Sequence, residues 1–265
     1  MEHRKLSDSK RGQGVVFETH GYTRLATTSV GGAANLHYAR ETGMVLSQLA
    51  VRLEGGSAYL QTGALQYMRG QVQMKTVGGG GGVGGLLARA ITAAGTGESA
   101  YKNEFSGHGV VWTEPTFKHL ILASLDDPND TLIIDDGAFY ACETSLRVGR
   151  HVHSNLGAGL LGGEGLMQSK LSGAGVFVLE SPVPLEEIDF IELNNDTLVV
   201  DGDLVLAYSA TLDFRIEKAQ KGLLNSYRSG EGLVHVFRGS GQVWVTPTLG
   251  LGKLFDPTPT LPGKH

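Results

Sequence analysis

Asn129 to Ala141 reads NDTLIIDDGAFYA, and Asn195 to Ala207 reads NDTLVVDGDLVLA, 66 residues further on. The two stretches share their Asn-Asp-Thr-Leu opening, a pair of branched residues, an aspartate and a closing apolar run. Branched and aromatic residues bounded by Asn, Asp and Gly are the signature of short β-strands separated by tight turns. Because the pattern recurs at a fixed spacing, the unit of this chain is a repeat, and the repeat decides the fold.

Working outward, GEGLMQSKLSGAGVFVLESP from Gly163 returns as GEGLVHVFRGSGQVWVTP from Gly230, one residue shorter before its Gly-x-Gly. A weaker first copy, GESAYKNEFSGHGVVWTEP, starts at Gly97, and its Gly107 and Gly109 precede Gly173 and Gly175 by 66 residues. Upstream, SAYLQTGALQYM sets Gly63 opposite Gly137 at 74 residues, the excess falling in the glycine-rich run after Val77. The copies cover residues 46–115, 119–182 and 185–247, flanked by an N-terminal tail with extra strands (1–45) and a Pro/Gly-rich C-terminal tail (249–265). The expected fold is all-β: three pseudo-repeats of short antiparallel strands, packed as a β-sandwich or prism around a pseudo-threefold axis, with very little helix. LLARAITAA from Leu86 and KGLLNSYRS from Lys221 are the candidate helical turns. Each Gly-x-Gly is expected to close a hairpin between the last two strands of its copy.

Composition narrows the function classes. A net charge of −5 offers phosphate backbones no broad attraction, so nucleic acid is not an expected partner. The single cysteine, Cys142, forbids an intramolecular disulfide and fits a reducing, cytoplasmic compartment; it is read as a small buried core residue. The N-terminal MEHRKLSDSKRGQG lacks the apolar core of a secretory signal and reads as a disordered tail, and no segment approaches the ~20 apolar residues of a membrane-spanning helix. A peripheral membrane contact through glycine-leucine loops is not favoured, for want of a basic amphipathic helix.

The Gly-Ala-Phe/Leu strand, the glycine-leucine loop, Gly-Glu-Gly and Gly-x-Gly, seen as GLLGGEGL, LSGAGVFVLES and GEGLV..FRGSGQVWVTP, resemble the mitochondrial-biogenesis family named for altered inheritance of mitochondria. The resemblance runs from about Leu46 to Thr248. It implies a fold similar to the tryptophan RNA-binding attenuation protein, cytoplasmic bacterial members, and mitochondrial members linked to inner-membrane organisation. It implies no particular reaction.

Candidate sites follow from residue chemistry. His151 and His153 lie two apart on a strand, hence on one face, a spacing that suits two metal ligands. A third ligand is lacking, since Glu164 lies eleven residues on beyond a glycine loop, so a solvent-facing pair is the expectation. Gly157, Gly159 and Gly162 match a dinucleotide fingerprint, but a strand-like segment follows where a helix is required. Glu98, Glu164 and Glu231 occupy equivalent positions after glycine and are read as caps of their own turns, with a shared cation or partner site as the alternative. Leu86, Leu87, Leu160, Leu161, Leu223 and Leu224 sit beside glycine as possible contact loops. No catalytic grouping and no cofactor is expected. The leading expectation is a non-enzymatic scaffold or binding protein that self-associates or binds a protein partner; the alternative is a metal- or small-molecule-dependent enzyme using the pseudo-threefold axis or the histidine pair.

Overall fold

A computed structural model describes residues 3–76, 102–153, 167–201, 204–218 and 233–249. In chain order the strands are β1 (Arg4–Arg11), β2 (Val15–Tyr22), β3 (Ser47–Gln61), β4 (Leu65–Thr76), β5 (Lys102–Thr113), β6 (His119–Leu125), β7 (Thr131–Ile134), β8 (Phe139–Glu143), β9 (Arg147–Val152), β10 (Met167–Ser172), β11 (Gly175–Ser181), β12 (Asp189–Asp201), β13 (Val205–Ser209), β14 (Asp213–Lys218) and β15 (Leu233–Val245). One helix, α1 (Val30–Glu41), and a short 3-10 turn at Leu185–Glu187 complete the described elements. The fold is all-β. The first sheet runs β1-β2-β3-β8-β11-β6, with β5 also beside β3 and β4 beyond it; the second runs β12-β15-β13-β7-β10-β9, with β14 on β15.

The Gly-x-Gly motifs do not close hairpins. In the third copy β15 continues unbroken through Gly239 and Gly241, while its partner β12 bulges between Leu193 and Asp196. In the first copy β5 runs through Gly107 and Gly109, opposite a bulge of β3 between Glu54 and Ser57. In the second copy the chain leaves β10 at Ser172 and enters β11 at Gly175, in the other sheet. The physical reason is shared: φ is +117° at Gly107, +109° at Gly173 and +117° at Gly239, so the strand bends through a left-handed residue and turns a corner without reversing.

Registers repeat from copy to copy. Met68↔Val111 and Tyr67↔Trp112 join β4 to β5; Cys142↔Phe177 and Ala141↔Val178 join β8 to β11; Tyr208↔Val243 and Ala207↔Trp244 join β13 to β15. Each pair of strands then slips by one residue, at Leu65/Tyr67, Val178/Leu179 and Val205/Ala207. Trp112 and Trp244 therefore correspond to Val178, and Phe177 matches Val111 and Val243. Neighbouring copies are stitched in one register too: Ala58↔Glu143, Tyr59↔Cys142 and Leu60↔Ala141 join β3 to β8, and Leu132↔Ser209, Ile133↔Tyr208 and Ile134↔Ala207 join β7 to β13.

The inward residues of these strands form three apolar clusters, around Phe17, Leu49 and Phe105, around Phe177, Leu171 and Ile134, and around Phe237, Tyr208 and Val243. Cys142 is a fully buried free thiol in the second cluster. The N-terminal segment read as a tail is ordered instead as the β1-β2 hairpin, because β2 carries the apolar run Val15 to Phe17 into the core and pairs in register with β3. β1 is a polar strand whose only strand partner among the described residues is β2.

Helix α1 was not foreseen. Ser29 caps it by accepting the Gly32 N–H at 3.0 Å, yet two glycines weaken it and none of its residues is buried. The two segments expected to be helical, from Leu86 and Lys221, lie outside the described residues. No helix among the described residues is long and apolar enough to cross a membrane.

Candidate functional site

The histidine pair sits where the second copy meets the third. β9 pairs with β10 so that His151 faces Gln168, and His153 follows just beyond the strand end. The rings lie edge to face, 4.3 Å between centroids, as the two-residue spacing predicts. The pair is half-buried, facing a cavity on one side and packed on the other. His153 packs at 4.6 Å from the ring of Phe214 on β14, and its Nε2 is 2.9 Å from Gln168 Oε1 and 3.0 Å from the Tyr208 hydroxyl. Tyr208, on β13, donates to Gln168 Oε1 at 3.0 Å. Gln168 and Tyr208 are both buried, so this triangle satisfies polar groups that would otherwise be costly to desolvate.

Burial sets the electrostatics. The His151 pKa is pushed below its ordinary value by burial and further by the neighbouring His153 and Lys170; the His153 pKa is lowered by burial, partly opposed by the Gln168 hydrogen bond. Burial raises the Tyr208 hydroxyl, which stays protonated as a donor. The histidines, Tyr208 and Phe214 line a cavity of about 170 Å³, with Asp213 and Leu212 at its rim. That is the liquid volume of about six waters, room for a small ligand between neutral imidazoles and an aromatic wall. Among the described residues no three His, Cys, Asp or Glu side chains converge as metal ligands.

The carboxylate with a visible structural task is one the sequence did not single out. Glu143, at the end of β8, is buried and accepts the N–H groups of Gln13 at 2.5 Å and Val176 at 2.6 Å. It ties the turn of the N-terminal hairpin to the corner after Gly175. In the third copy the equivalent Ser209 Oγ accepts the Gln242 N–H at 3.0 Å, the same bond made by a shorter side chain. The first copy has Arg69 at this position, which cannot accept such a bond, so the Glu/Ser/Arg series left no recurring signal in the sequence. Glu98, Glu164 and Glu231 lie outside the described residues, as do Leu86, Leu87, Leu160, Leu161, Leu223 and Leu224 and the glycines 157, 159 and 162.

A second polar network anchors β1. Gln48 is fully buried on β3; its Oε1 accepts from Arg4 at 2.6 Å and from Tyr22 at 2.9 Å, and its Nε2 donates to Gln66 and to the Thr113 carbonyl. The Arg4 guanidinium stacks 4.2 Å over Trp112. Beside it, α1 roofs a wider groove of about 660 Å³, lined by Leu25, Leu36, Met44 and Phe117.

Among the described residues β1, β4, β6, β9, β12 and β14 are edge strands with a single strand partner, and β4 and β12 are the two that matter here. β4 pairs only with β5, and β12 only with β15. Large apolar side chains stand exposed along both: Tyr67, Met68 and Met74 on β4, Phe190 and Val199 on β12.

A family model described as mitochondrial biogenesis AIM24 matches residues 40–248. An uncharacterized protein of Streptococcus pyogenes serotype M6 is 31% identical over 196 residues, covering 72% of this chain and 77% of the relative. The crystal structure of another Streptococcus pyogenes protein is similar with a TM-score of 0.59 at 27% identity, covering 79% of this chain and 93% of that one.

Proposed function

The chain belongs to the mitochondrial biogenesis AIM24 family, and from that premise we propose that it is a non-enzymatic scaffold that assembles with copies of itself. The observation that carries this reading is that β4 and β12, edge strands among the described residues, each carry two or more exposed large apolar side chains. Natural sheets guard edges with charge, proline or a covering element, because an unguarded edge recruits another strand. The charges on these two are of opposite sign, Arg69 and Lys75 on β4 against Glu192 and Asp196 on β12, and so favour each other's company. We read the three copies as successive repeats in the manner of the tryptophan RNA-binding attenuation protein fold, which the recurring registers at the Gly-x-Gly corners support; a pseudo-threefold axis is the closed form of this arrangement, in which β12 would meet β4 of its own chain. The sole thiol, buried and unpaired, supports a cytoplasmic setting. Light scattering across a concentration series tests the assembly: a mass rising above that of the 28.1 kDa chain supports it, and a constant monomer mass refutes it.

A second reading rests on the histidine pocket. The cavity beside His151, His153 and Tyr208, about 170 Å³, is smaller than the ~300–1,000 Å³ of drug-sized ligand sites, but its mixed lining has room for an ion or a molecule of a few heavy atoms. Metal analysis of the purified protein, repeated on His151→Ala with His153→Ala, decides it: stoichiometric metal lost in the variant promotes this reading, and a metal-free protein removes the metal form of it.

A further inference from the structure

Neighbouring copies within the chain join by one recurring antiparallel junction, and its third instance is left half-made at each end of the molecule. In the first junction Tyr59 of β3 faces Cys142 of β8, and in the second Ile133 of β7 faces Tyr208 of β13. Tyr59, Ile133 and Val199 occupy the same position in the three copies, as do Met68, Cys142 and Tyr208, by the 74- and 66-residue spacings. The third junction would set Val199 of β12 against Met68 of β4. Among the described residues neither strand has a partner there. The side chains report the same vacancy in their burial. Ile133, Cys142 and Tyr208 are 1%, 0% and 2% exposed and Tyr59 is half-buried, whereas Val199 is 56% and Met68 43% exposed.

We propose that β12 of one chain pairs with β4 of a second copy in the register of the internal junctions, Leu198↔Arg69, Val199↔Met68 and Val200↔Tyr67. This rests on the self-assembly reading above and specifies its surface. The occupant is a second copy because the chain already holds two examples of the same joint, built from the same strand positions, and carries one unused half of each kind. The pairing satisfies backbone groups on both edges and covers Val199 and Met68 against each other. It also sets Arg69 diagonally across from Asp196, an opposite-charge pair within side-chain reach. The two halves differ, so the contact is head to tail. Assemblies grow as open chains unless the rotation between copies closes a ring.

Cysteine pairs at the two edges test the register, since the native Cys142 is fully buried. Met68→Cys and Val199→Cys are made as separate variants, mixed, and treated with a short bis-maleimide; Met74→Cys with Val199→Cys is the mismatched control, about 20 Å along β4 from the matched position. The expected result is a covalent dimer from the matched mixture, little from the control, and a Val199→Lys variant whose dissociation constant rises about tenfold or more. If the Met68→Cys/Val199→Cys double variant links only within one chain and the mixture does not link, the chain closes on itself and the proposal is wrong. A protein that assembles by light scattering, yet neither links in the matched mixture nor responds to Val199→Lys, uses another surface; that overturns the register and spares the scaffold reading. A monomer at every concentration overturns both.

Discussion

Replacing Glu143 by Gln isolates a single buried carboxylate. Each carboxylate oxygen accepts one main-chain N–H, Oε1 from Gln13 and Oε2 from Val176. Glutamine is nearly isosteric but keeps only one acceptor, so its amide NH2 must face one of these donors. One charge-assisted bond becomes neutral and the other becomes a donor-donor contact. Hydrogen bonds to charged groups contribute about 1.5–3 kcal/mol each, so the substitution is expected to cost about 3 kcal/mol. Urea unfolding at pH 7 reads this as a lower midpoint with an unchanged slope. Because Gln13 lies 130 residues from Glu143, amide exchange should also rise selectively in the β1-β2 turn. Glu54→Gln, at an exposed ion pair with Arg11, is the control and should leave the midpoint in place. A loss under about 0.5 kcal/mol for Glu143→Gln would refute the assignment of Glu143 as the tie between hairpin and corner.

Other expectations follow the same geometry. The folded-state pKa values of His151 and His153 are lowered, so the unfolded chain binds more protons below about pH 6.5 and stability should fall as pH drops through that range; thermal melts should show the slope, and His151→Gln with His153→Gln should flatten it. Tyr208→Phe removes the hydroxyl that donates to Gln168 and should cost about 1–2 kcal/mol in denaturant unfolding, with the all-β circular dichroism spectrum retained. Gly107→Ala and Gly239→Ala share a φ of +117°, but a new Cβ would lie 2.2 Å from the Gln71 carbonyl oxygen at the first and no nearer than 3.9 Å to any neighbour at the second. Melting temperatures should therefore fall for both and further for Gly107→Ala; equal losses would mean that strain alone matters and the close approach relaxes freely.

What the sequence revealed was what neighbouring residues decide. The branched runs and their punctuation gave the strands, and two-residue spacing put His151 and His153 on one face. A Gly-x-Gly, however, serves a reversal or a corner equally well, and which of them occurs depends on the sheet that receives the next strand. At Gly173 to Gly175 that is the other sheet, a fact held in pairings with β6 and β8 and invisible locally. Arg4–Arg11 carries no alternation of its own; its strand state comes from β2 and from Gln48, 44 residues away from Arg4. The histidines' true partners, Gln168 and Tyr208, come from two further strands, so their burial could not be read from an H-x-H spacing.

Because each sheet combines strands from more than one copy, the copies do not behave as separable modules. Cutting the chain between Pro182 and Leu185 would strip β7 of β13 and β13 of β7, baring Ile133 and Tyr208 together. Linear repeat arrays can shed or gain a unit at modest cost, since each unit meets only its neighbours through an end face. Here a lost copy tears a sheet. Unfolding should therefore proceed in one step across both sheets, and differential scanning calorimetry should show a single transition.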